Sequence, residues 1–89
     1  MRAVITVIGK DAVGILSKVS TICSNHQANV TDVTQSVLQD MFAMIMMADI
    51  SKLDIPFAQF SDEMTELGNK LGLKIYVMHE DIFNCMHTI

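Results

Sequence analysis

Few side chains in this sequence have types and spacing that could do chemistry. Cys23 and His26 fall in a helical stretch, and His79, Cys85 and His87 cluster toward the C-terminus. Imidazole and thiolate bind zinc, but a structural zinc site draws on two close ligand pairs, and here only the Cys85 and His87 pairing stands out. The pattern therefore implies no metal, with a packed cysteine and exposed tail histidines in its place. Asp62, Glu63 and Glu66 recur within a turn of a helical segment and read as a solvated acidic face. No nucleophile stands with a base, so no catalytic residue and no enzyme activity is expected. The segment "GKDAVG", Gly9 to Gly14, has neither the Lys and Ser or Thr of a phosphate loop nor the spacing of a dinucleotide fingerprint, and no cofactor is implied.

The same segment can still bind. It leads from an apolar strand into an amphipathic helix, and the unpaired amides at a helix N-terminus suit a carboxylate or other small anion. Asp11 can cap that helix and could also meet an ammonium group. Gly14 stands where alanine would be the better helix former, at a cost of about 1 kcal/mol. Two readings stand side by side: Gly14 clears space for a ligand or neighbouring backbone, or it relieves local backbone strain.

These residues must be positioned by a small fold. Eighty-nine residues hold one core, and with 51% hydrophobic and 18% charged residues the chain is not disordered. Six Lys and Arg against ten Asp and Glu leave a net charge of -4. The basic residues are scattered, and Tyr76 and the phenylalanines are not interleaved with them, which argues against a nucleic-acid or anionic-membrane surface. The apolar run near the N-terminus is too short for a signal peptide or membrane span, and two cysteines without an export signal read as reduced thiols of a cytoplasmic protein.

"RAVITVI", residues 2–8, is β-branched and closed by Gly9, as a strand would be. From residue 13, Ile15, Val19, Ile22 and Cys23 make one helix face, ended by the turn-forming "SNHQAN". "VTDVTQSVL" and "MFAMIMMADI" read as an antiparallel hairpin joined at Gln39 and Asp40. Asp54 and Pro56 mark a second helix start, with Asp54 accepting from the free amides. Phe57, Phe60, Met64, Leu67 and Leu71 form its stripe, Gly72 its left-handed cap, and residues 73–78 a last strand with Leu73, Ile75 and Val77 on one side. The order βαββαβ predicts an α+β, ferredoxin-like sandwich: a four-stranded antiparallel sheet with two helices on one face.

The third strand is apolar on both sides: Phe42, Met44, Met46 and Ala48 alternate with Ala43, Ile45 and Met47. Two helices cover only one face of such a sheet, so a second cover is needed. The tail, residues 81–89 beyond a domain of residues 1–80, places Ile82, Phe83, Met86 and Ile89 at helical spacing and can fold over the open face of its own or a partner's subunit. A homodimer with the tail in its interface follows as the expectation.

The stretch "VIGKDAVGILSKVSTICSNHQANV", residues 7–30, resembles the opening of ACT domains, small βαββαβ modules that sense amino acids. "DVTQSVLQDMFAMIMMADI" and the C-terminal pattern are similar to free-standing bacterial and archaeal ACT proteins related to the regulatory domains of the glycine cleavage system transcriptional repressor. The resemblance implies paired domains, often with two sheets joined side by side, and a ligand at the interface. Carried over to matching positions, the contacts implied are Asp11, Ala12, Val13, Gly14, Ile15 and Leu16, with Asn29 and Val30. It implies a non-catalytic regulator binding an amino acid and acting in trans on an unidentified protein. The alternative is an interaction module with no ligand.

Overall fold

A computed structural model describes residues 1–10 and 14–87. Its elements run β1 (Arg2–Gly9), α1 (Ile15–Asn25), β2 (Asn29–Leu38), β3 (Met41–Asp49), α2 (Phe57–Leu71), β4 (Lys74–His79) and α3 (Glu80–His87). The strands form one antiparallel sheet in the order β2-β3-β1-β4. β1 and β2 flank β3, the split βαβ arrangement expected from the element order.

Period two decides what each strand buries. Ala3, Ile5 and Val7 of β1 join Met44 and Met46 of β3 and Ile75 of β4 on one face. That face meets Ile15, Val19 and Cys23 of α1 and Phe60 and Met64 of α2, which recur at helical spacing. Each large side chain buried there contributes about 1.5 to 3 kcal/mol by leaving water. Gly68 belongs to the same packing: a methyl at its α-carbon would lie 3.0 Å from the Leu73 carbonyl oxygen and 3.0 Å from Ile75 Cγ1. α2 ends, as its sequence suggests, at Gly72 in the left-handed conformation (φ 71°). The hairpin turn carries Gln39 at φ 57°.

The start of α2 differs from expectation. Pro56 occupies the N-cap with extended backbone (φ -58°, ψ 144°) and makes no side-chain cap. Asp54 stands outside that turn, and its carboxylate faces His26 instead. The acidic face on α2 is also not wholly solvated, because Glu63 reaches the same imidazole.

The second sheet face is only partly covered. α3 lies against β1 and β4 of its own chain. Val4, on the side opposite Ala3 and Ile5, is 1% exposed and is flanked by Met47 and Met78. Arg2 pairs with Glu80 through two guanidinium nitrogens, fixing the first turn of α3 to β1. Farther along β3, Ile45 and Met41 remain exposed, so the strand is buried on one side and half-covered on the other. Among the described residues no helix is long and apolar enough to cross a membrane.

Candidate functional site

The loop after β1 begins where Leu73 closes over Gly9. A methyl on Gly9 would sit 1.8 Å from Leu73 Cδ2, so this strand end is packed against the start of β4. Asp11, Ala12 and Val13, the centre of the proposed anion-binding loop, lie outside the described residues. Gly14 is the N-cap of α1 in the left-handed conformation (φ 73°, ψ 4°), and its carbonyl accepts from the Lys18 amide at 3.1 Å. Among the described residues a methyl there would meet nothing within 4 Å. The positive φ by itself calls for glycine at this position. Ile15 is buried in the core, whereas Leu16 faces outward, 39% exposed.

Asn29 and Val30 sit elsewhere. Asn29 pairs with Asp49 and Asp49 with Arg2, at the end of the sheet where β1 begins; Gly9 pairs with Phe42 at the other end. Seven residue steps along β1 separate the two ends by roughly 23 Å at the usual strand rise of about 3.3 Å. Among the described candidates, one chain does not bring the Gly14 helix start together with Asn29 and Val30.

Around Asn29 the chain builds a polar recess. α1 closes at the C-cap His26, Gln27 takes φ 64°, and the Ala28 amide returns to the Cys23 carbonyl at 2.8 Å. Across from it β3 ends in Asp49, whose Oδ1 accepts from the Ser51 amide (2.9 Å) and hydroxyl (2.6 Å). Those bonds hold the Asp49 carboxyl below its ordinary pKa, with the hydroxyl the larger cause. Two adjoining open depressions of about 240 and 270 Å³ share Gln27, Asn29 and Lys52; Asp49 and Ser51 line the first, Ser24 and Ala28 the second. Sequence reading missed Asp49, Ser51 and Lys52. The signal was "DIS", an aspartate two residues before a serine at a strand end, where a side chain can close on the backbone.

Beside this recess His26 bridges two elements. Its Nδ1 lies 3.0 Å from Asp54 Oδ1 and its Nε2 3.1 Å from Glu63 Oε1, and its ring stands edge-on to Phe60. With a carboxylate at each nitrogen the doubly protonated ring is favoured, and its pKa is raised, Glu63 the larger cause. Cys23, the other helical member of the candidate metal set, is buried in the core, where desolvation lifts its thiol to about 11. Among the described residues no three His, Cys, Asp or Glu side chains converge on a metal position.

A separate groove of about 570 Å³ opens on the far sheet face, lined by Ile8, Ser36, Gln39, Met41, Phe42 and Ala43. It is largely apolar, and among the described residues its lining holds none of the candidate ligand residues.

The comparisons with known proteins agree with this architecture. The ACT domain family pattern matches residues 2–78. A "UPF0237 protein" of Methanopyrus kandleri is 41% identical over 88 residues, covering 99% of this chain and 98% of that protein. The solved structure of an ACT domain protein from Streptococcus pneumoniae superposes with a TM-score of 0.81 at 34% identity, covering 93% of each chain. A structure assigned to a glycine cleavage system transcriptional repressor shares the fold, with a TM-score of 0.76 at 14% identity over 86% of this chain and 45% of that one. By pattern, sequence and fold, the chain belongs to the ACT domain family.

Proposed function

We propose that this protein is a non-catalytic regulator that binds an amino acid at the interface of a homodimer and passes the signal to a protein partner in the cytoplasm. The observation that carries this reading is the position of the two candidate groups relative to β2. β2 is an edge strand of ten residues with Val33 and Val37 exposed on the side shared with the helices, Val37 at 68%. A long edge with exposed β-branched residues and one charge, Asp32, invites a second strand.

If two copies pair β2 against β2 about a two-fold axis, the strands run antiparallel. The Leu38 end of one then meets the Asn29 end of the other. That juxtaposition sets the Gly14 helix start of one subunit beside Asn29 and Val30 of its partner, uniting groups that one chain keeps apart. Backbone amides at the helix start would receive the ligand carboxylate, and Asn29 its ammonium group. A ligand spanning both subunits favours one arrangement of the pair, which is what coupling to a downstream partner requires.

Thermal shift with each of the twenty amino acids tests the ligand, and sedimentation with Val33→Lys plus Val37→Lys tests the interface. At one hundred times Kd a ligand adds about 2.7 kcal/mol, which raises Tm by roughly 10 °C or more in a domain of this size. The lysine pair should give a monomer and abolish the shift. A wild-type monomer at micromolar concentration, or no shift with any amino acid, would sink the reading. The second reading, a ligand-free module acting in trans, is favoured by the apolar groove on the far sheet face. It predicts no ligand shift and an intact dimer.

A further inference from the structure

The recess at Asn29 carries more charge chemistry than an interface amide needs. Asp49 is fixed by Ser51, which locks one carboxylate oxygen through two hydrogen bonds and leaves the group able to accept from outside. Lys52, three residues on, lines both adjoining depressions. Asp49 and Lys52 do not pair with each other, and Lys52 makes no ion pair among the described residues. An ionised acceptor and an uncommitted ammonium therefore line one small recess together with Gln27 and Asn29.

We propose that the recess selects an amino acid with an acidic side chain: Asp49 and Asn29 receive the α-ammonium group, and Lys52 with Gln27 receives the side-chain carboxylate. This rests on the interface reading above, in which the partner's helix start takes the α-carboxylate. A ligand so held bears one cation flanked by two anions and meets an anion flanked by two donor sets. A neutral side chain would leave Lys52 unanswered, and a basic one would be repelled by it. Lys52 is exposed and takes no part in the core, so its replacement tests recognition without touching the fold.

The test is calorimetric titration of the full chain with L-glutamate and L-aspartate against L-glutamine and L-asparagine. The acids should bind at least about tenfold tighter, as a charge-assisted hydrogen bond gained by only one of each pair requires. Lys52→Gln should erase that preference by weakening the acids far more than the amides, and Asp49→Asn, which still accepts from Ser51, should weaken all four. Circular dichroism melts of both variants identify any loss of fold. Equal binding of acids and amides, or a preference that survives Lys52→Gln, overturns the acidic selectivity and leaves the interface reading standing. No binding of any amino acid overturns both.

Discussion

The sharpest prediction concerns Gly14. Two physical effects oppose each other there, and the structure decides between them. If Gly14 were an ordinary helical residue, Gly14→Ala would stabilise the protein by about 1 kcal/mol through helix propensity. It is instead an N-cap at φ 73°, and among the described residues nothing lies within 4 Å of where a methyl would go. An L-alanine held left-handed costs about 1 to 2 kcal/mol, and the restricted unfolded chain returns about 0.4 to 1. The net loss is about 1 kcal/mol, with no clash to add from the described residues. For a domain of this size that lowers Tm by roughly 4 to 8 °C. Asparagine tolerates the left-handed region and should lose less; valine, branched at Cβ, should lose more. Melts of the four proteins at one fixed protein concentration, without added amino acids, should rank Gly above Asn above Ala above Val. An alanine variant as stable as wild type, or more so, would refute the reasoning, because propensity would then have outweighed conformation.

Other expectations follow from particular contacts. The His26 pKa is raised by Glu63 and Asp54, so its contribution to stability is fully present below about pH 6.5, the ordinary histidine value, and is lost as pH rises through the folded-state pKa. Urea midpoints should fall over that window in wild type and change less in His26→Gln, and NMR titration of the ring should give a pKa above 6.5; a lower one refutes the bridge. Gly68→Ala gains helix propensity but presses on the Leu73 carbonyl and Ile75, for a net loss of about 1 kcal/mol in chemical denaturation. Cys23, buried with its thiol near 11, should resist alkylation in the native state while exposed Cys85 reacts, and Cys23 should become reactive only in denaturant.

Much of the fold was legible because local rules and burial agree. Strand composition ending at Gly9, the Ile15, Val19 and Cys23 stripe, the Phe60 and Met64 stripe and Gly72 as a left-handed cap each express a period or a dihedral preference that needs no distant partner. Asp54 was misread because a capping preference is local, while the imidazole that claims it comes from a residue 28 positions away. Glu63 was misread for the same reason, its partner lying on α1's C-cap. Strand β3 suggested two buried faces, yet apolar alternation cannot say how far an eight-residue helix reaches, and α3 stops over β1 and β4.

The amino-acid sequence by itself determined the βαββαβ order, the core-facing side of each helix and the positions where the chain must turn, since these follow from side-chain period and backbone preference. Only the tertiary structure decided why Gly14 is glycine, that Asn29 lies a strand's length from it, and that Asp49, Ser51 and Lys52 gather around Asn29. Sheet register sets those distances, and register belongs to the pairing of whole strands rather than to any residue within one.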